Sequence, residues 1–318
     1  KVNKQGGING RKIKLVSLDD VYEPTRCVDN TRNLISVEKV FALFGYVGTP
    51  TTQAIMPILD QETIPMIGPF TGAGFLRDPS KRIFNIRASY DQETGALVRS
   101  FSQDCGLKKI ACLYQDDAYG KVGLSGVEKG LAAESLSLLS SATYERNTVA
   151  VKSAVAKLSM AKPDVVIMIG AYKPCAEFIK LGKSLGMNSK FANISFVGTA
   201  KLIEEMGPAG EGTFISQVVP SPLDTSIPLV KECADTLGRQ PTYGELEGYL
   251  DAKVFVEGVL RAGSALTRDS FVKAMESMNM YDAGGVTISY GPGDHQGLDT
   301  VYFTKVQNGK AVAVNTLK

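Results

Sequence analysis

The feature that most restricts the fold is an alternation of short apolar runs with amphipathic stretches along most of the chain. Its clearest member is Val165, Val166, Ile167, Met168 and Ile169, a continuous apolar run opened by Pro163 and closed by Gly170. A strand buried on both faces reads this way, and such strands belong to parallel sheets covered by helices. Further extended runs fall at 13–18, 40–44, 66–67, 83–87, 109–114, around Tyr144 and at 193–197. Between them the spacing predicts helices over 24–38, 54–61, 92–105, 123–133, 149–161, 174–185 and 199–206. In the first of these, Cys27, Thr31, Leu34 and Ile35 share one face. The predicted fold is therefore α/β, with doubly wound parallel sheets.

The pattern restarts near residue 90, which divides the chain into two α/β lobes. A proline-flanked extended segment, Gln217 to Pro222, follows the second series. After it come three long amphipathic stretches (227–237, 243–262 and 268–278) and short strands at 286–289, 301–305 and 311–314. The beginning departs from the scheme. Lys1 to Lys4 before Gly6-Gly7 reads as the end of a helix with its glycine cap. A strand and most of a helix are expected before residue 1, with a signal peptide further upstream.

Composition removes several function classes. At 318 residues, 44% hydrophobic and 21% charged, the chain has the make-up of an ordered protein with room for two cores. A net charge of +2, without a basic block, gives no basis for binding nucleic acid. No apolar run reaches the roughly 18 residues of a membrane-spanning helix. The five cysteines lack metal-ligand spacing, and no cofactor or metal is expected. The one histidine, His295, lies in a Gly-Pro-Gly-Asp-His-Gln-Gly turn and is expected to be exposed. A nucleophile elbow, a phosphate loop and a Cys/His cluster are all missing, so the chain does not read as an enzyme.

Two turns carry the binding chemistry. Gly48-Thr49-Pro50-Thr51-Thr52 leads from one strand into a helix, and Gly68-Pro69-Phe70-Thr71-Gly72-Ala73 follows the next strand. Hydroxyls and unpaired N–H groups at a helix N-terminus receive an anion such as a carboxylate. Successive strands of a parallel sheet bring their C-terminal turns to one edge, where ligands bind. Thr49, Thr51, Thr52 and Thr71 are thus candidate carboxylate contacts. Phe70 and Tyr46 are candidates for an apolar wall.

In its ordered motifs the chain resembles the type I periplasmic substrate-binding proteins of ABC importers, in the leucine/isoleucine/valine-binding group. The resemblance is carried by Gly6-Gly7-Ile8-Asn9-Gly10-Arg11 ahead of Asp19-Asp20, by the Gly45–Thr52 turn and by Pro65-Met66-Ile67-Gly68-Pro69. Tyr119-Gly120, Phe196-Val197-Gly198 and Glu247-Gly248-Tyr249 extend it along the chain. It implies two lobes, 1–88 plus 221–299 and 89–220 plus 300–318, joined by three hinge strands and closing on a ligand held in the cleft. It also implies a periplasmic monomer that delivers a small molecule, expected to be an aliphatic or other apolar amino acid, to a membrane permease.

Carried over residue by residue, the resemblance adds Tyr119 and Tyr172 as aromatic contacts. One position departs from the pattern. Several relatives carry an acid after the strand that here ends Ile194-Ser195-Phe196-Val197-Gly198, and it pairs with the ligand's ammonium. This chain has none there, so Glu247 or Asp117 is expected to serve, or else the ligand is not an amino acid. A receptor's sensing domain and a binder of aromatic or 2-oxo acids are the alternative readings.

Overall fold

A computed structural model describes residues 1–318. The chain opens with a 3-10 turn at Val2–Gln5, closed by Gly6 at φ 96° as the sequence predicts. Residues 12–20 then run without regular structure, contrary to the strand expected at 13–18. A strand needs a neighbour to pair its N–H and C=O groups, and none flanks this segment. It lines instead an apolar groove of about 860 Å³ together with Leu34, Leu43, Phe44 and Phe255.

From there β and α elements alternate: α1 (Pro24–Ser36), β1 (Leu43–Phe44), α2 (Thr49–Glu62), β2 (Met66–Ile67) and β3 (Ile83–Phe84). Next come α3 (Tyr90–Arg99), β4 (Ile110–Gln115), α4 (Ala118–Ala133), β5 (Ser140–Tyr144) and α5 (Lys152–Ala161). They are followed by β6 (Val165–Ile169), α6 (Tyr172–Ser184), β7 (Lys190–Asn193), α7 (Thr199–Met206) and β8 (Phe214–Gln217). The amphipathic stretches form α8 (Pro228–Leu237), α9 (Tyr243–Ala262) and α10 (Arg268–Glu276). The chain closes with β9 (Tyr281–Asp282), β10 (Thr287–Ile288), β11 (Tyr302–Gln307) and β12 (Lys310–Val314).

These elements form two compact units, each built from two pieces of chain: Lys1–Ala88 with Pro222–Asp299, and Ser89–Ser221 with Thr300–Lys318. The first unit holds a parallel sheet of order β1-β2-β3, extended by parallel bridges Val47–Phe70 and Asn85–Gln296. Helix α9 packs through Phe255 edge-on to Phe44, and Phe271 of α10 packs edge-on to Phe41.

The second unit holds a seven-stranded sheet of order β12-β11-β8-β7-β6-β4-β5. It is parallel from β8 to β5, and β11 pairs antiparallel with both β8 and β12. β6 is buried at every position, as its unbroken apolar run requires. Its core includes Leu113, Val155, Val166, Met168, Phe178 and Ile215. The π-helical turn Ser100–Asp104 takes over the last part of the helix expected to run to Cys105.

Candidate functional site

In the first unit the two threonine-bearing turns are stitched together by backbone. Gly48 N–H donates to the Phe70 carbonyl (3.2 Å) and Phe70 N–H to the Tyr46 carbonyl (2.7 Å). Gly48 sits at φ 100° as the N-cap of α2, and a Cβ there would fall 2.2 Å from the Tyr22 ring. Only glycine allows that approach. Thr49, Thr51 and Thr52 lie inside the first turn of α2 rather than in a loop before it. The N–H groups of Thr49 and Thr51 thus have no acceptor within the helix.

The four threonines are all fully buried but differ in what their hydroxyls do. Thr49 Oγ1 meets Thr71 Oγ1 at 2.7 Å, and Ala73 N–H donates to Thr71 Oγ1 (3.3 Å). Whichever of the two threonines accepts the shared bond keeps its own proton to donate outward. Thr51 and Thr52 donate back to the Gly48 carbonyl (3.0 and 2.6 Å), and Thr51 also to that of Val47. Their hydroxyl protons serve the start of α2. The Tyr46 hydroxyl bonds Thr31 Oγ1 (2.8 Å), and burial pushes its pKa well above the usual tyrosine range.

Beneath Phe70 lies a buried charge group that the sequence did not reveal as a group. The Arg87 guanidinium stands 4.2 Å over the Phe70 ring. It donates through Nε and a terminal nitrogen to the two Glu247 carboxylate oxygens (2.7 and 2.8 Å). Both side chains are almost fully buried, at 1% and 6% exposure. The pairing is bidentate and charge-assisted, the strongest geometry open to these groups. Glu247 was a candidate for a ligand's ammonium; here Arg87 occupies both of its oxygens.

Asp251, one turn along α9, is also buried and packs on Gly68, where a Cβ would come within 2.6 Å of its carboxyl. Burial, reinforced by the Glu247 charge, raises its carboxyl well above the usual carboxylate range.

The candidates from the second unit sit in a different setting. Asp117 caps α4, accepting the N–H groups of Tyr119 (2.9 Å) and Gly120 (3.3 Å) on one oxygen. Its other oxygen takes Gln115 Nε2 (2.6 Å), with Arg146 at 3.7 Å. The Tyr119 ring is fully buried between Tyr90 and Phe196, at centroid distances of 5.4 and 4.5 Å, and packs within its own unit. Tyr172, half-buried, is the first residue of α6 and leans on the core of that unit.

Sequence reasoning passed over Glu93, whose buried carboxylate takes Ser195 N–H (2.8 Å), Ser195 Oγ (2.9 Å) and Ser216 Oγ (2.6 Å). Its one sequence signal is an acid at an apolar position of α3. His295 is not exposed as expected. It stacks on Phe84 at 4.3 Å, its Nδ1–H donates to the Lys81 carbonyl (2.9 Å), and its Nε2 lies 3.4 Å from Glu276. No group of His, Cys, Asp and Glu side chains is arranged to hold a metal ion.

A profile described as periplasmic binding protein matches residues 1–311. The Leu/Ile/Val-binding protein homolog 8 of Brucella abortus is 25% identical over 98% of this chain and 82% of its own length. A solved structure of a possible leucine/isoleucine/valine-binding protein from Rhodopirellula baltica superposes with a TM-score of 0.92. That protein is 32% identical, over 98% of this chain and 88% of its own. The fold is shared too by an R. palustris solute-binding protein solved with benzoate: TM-score 0.86, 23% identity, 99% of this chain and 88% of that one.

Proposed function

The chain belongs to the periplasmic binding protein family, and on that premise we propose that it captures a small carboxylate outside the cytoplasm for an ABC importer. The family is one of solute-binding proteins, so the task is recognition and release rather than catalysis. The closed, occupied form then docks on a membrane permease, which couples ligand binding to transport.

The observation that carries the reading is the Thr49–Thr71 hydroxyl pair. It joins the first turn of α2 to the loop after β2 with a 2.7 Å bond. A carboxylate placed there takes the outward hydroxyl proton and the N–H groups left over at the helix start, and it sits at the positive end of α2. Phe70, held flat by Arg87, offers an apolar surface beside it. Relatives point to the same ligand chemistry from two sides: some are named for leucine, isoleucine and valine, and one was solved with benzoate.

The test is calorimetric titration of carboxylic acids into the protein and into Thr49→Val and Thr71→Val. Each substitution keeps the side-chain shape and removes one hydroxyl. An acid that binds the parent should bind either variant roughly 10-fold more weakly, as expected for loss of a hydrogen bond to a charged group. Unchanged affinity in both would place the carboxylate elsewhere.

A further inference from the structure

The Asp19-Asp20 pair lies outside the carboxylate contacts yet shapes the backbone beside them. Val21 and Tyr22 follow it at φ 48° and 60°. Left-handed backbone is uncommon for side chains other than asparagine and aspartate, and a β-branched valine there is a true outlier. Val21 is 48% exposed, so its side chain gains little by packing in that position. Three hydrogen bonds hold the turn closed. Glu23 N–H donates to the Asp20 carbonyl (2.9 Å), Val21 N–H to Asp19 Oδ1 (2.8 Å) and Tyr22 N–H to Asp20 Oδ1 (2.8 Å). The Cys27 thiol, buried on α1, bonds Asp20 as well.

What the strained turn delivers is the half-buried Tyr22 ring. It lies over Gly48, so close that a Cβ on that residue would fall 2.2 and 3.0 Å from two ring carbons. All of these residues belong to the first unit. Gly48 sits at φ 100° and ψ 150°, a conformation that glycine alone adopts freely and leaves as freely. Covered by the ring, it loses that freedom, and the direction of the chain after it is set. That direction aims the Thr49 N–H group and the Thr49 hydroxyl that meets Thr71 at 2.7 Å. Tyr46, two residues before Gly48, is tied by its hydroxyl to Thr31 (2.8 Å), one turn beyond Cys27 on α1. Given the reading that the Thr49 and Thr71 turns take the ligand's carboxylate, we infer that Tyr22 is a positioning residue of that site. Its ring locks Gly48, so that Thr49 stands ready for the carboxylate before the ligand arrives. Backbone strain beside a binding turn thus places one aromatic ring, and that ring reduces the ordering that binding would otherwise require.

The experiment compares the parent with Tyr22→Ala, Tyr22→Phe, Thr49→Val and the double variant Tyr22→Ala/Thr49→Val, titrated calorimetrically with leucine, valine and benzoate. For an acid that binds the parent, Tyr22→Ala should weaken binding roughly 10-fold, and Tyr22→Phe, which keeps the ring, should bind as the parent does. Once Thr49→Val is in place, Tyr22→Ala should weaken binding little further, because both act on one contact. Additive losses, equal losses in Tyr22→Phe and Tyr22→Ala, or parent affinity in Tyr22→Ala overturn the inference. A second readout needs no ligand. The Gly48 and Thr52 amides, bonded to the Phe70 and Gly48 carbonyls, should exchange roughly 10-fold faster in Tyr22→Ala, with the rest of α2 unchanged. Equal exchange overturns the lock. Tyr22→Leu, which also lacks the ring, replaces Tyr22→Ala in both measurements if the latter does not fold. The reading beneath fails differently: parent affinity in Thr49→Val, or no binding by any of the three acids, moves the carboxylate away from the turns whatever Tyr22 does.

Discussion

Asp251 shows how much one buried side chain can decide. Its carboxyl sits against Gly68, which stands at φ 59° and has no side chain to share the space. Because burial raises the folded-state pKa above the unfolded value, the folded protein holds a proton that the unfolded chain releases. The contribution to stability is therefore complete below pH of about 4, the unfolded value. It is lost as pH rises through the folded value. Asp251→Asn keeps the shape and has no proton to lose. It should match the parent protein at pH 4 and exceed it in thermal stability at neutral pH, a difference that melting curves across that range would record. Equal stabilities at every pH would mean that the carboxyl ionises freely in the fold.

At the scale of elements, the Arg87–Glu247 pair fastens α9 to the chain just after β3, and through Phe70 to the loop after β2. The pair joins positions 160 residues apart. Removing one partner leaves a buried charge without a counter-ion. Arg87→Ala and Glu247→Ala should each cost about 3–5 kcal/mol in denaturant unfolding, and the double substitution Arg87→Met with Glu247→Leu distinctly less than the sum. Additive losses would show that the two side chains do not act together. Which segments become helices was readable from spacing: α7 and α9 run as the periodicity predicts, and the three stretches after Pro222 are α8, α9 and α10. The segment 13–18 was misread because its apolar pattern is a strand's, and pattern cannot supply the neighbour that a strand needs.

For the molecule as a whole, the chain builds each unit from separated pieces and crosses from one unit to the other after residues 88, 221 and 299. Amide exchange should reflect the two sheets. Central strands β4 and β6, paired on both sides and fully buried along β6, should exchange most slowly. Within 12–20, residues 14–20, outside any ladder, should exchange among the fastest, while the Ile13 amide is held by Asn3 Oδ1 (2.8 Å). Mass-resolved exchange would measure both, and slow exchange in 14–20 would mean that those amides have partners in solution.

Local chemistry was enough to make some features legible in the sequence. A run such as Val165–Ile169, bounded by Pro163 and Gly170, reads as a strand buried on both faces, and Gly48-Thr-Pro-Thr-Thr reads as the opening of a helix with its hydroxyls near orphan N–H groups. The division of labour among those threonines was settled only by the fold. Thr51 and Thr52 turn back on α2, while Thr49 finds Thr71 across from it, because the parallel register of β1 and β2 brings their turns together. The fate of Glu247 and Asp117 was decided the same way. A carboxylate's role depends on which cation or N–H reaches it first, and those partners lie on segments that only tertiary packing brings near.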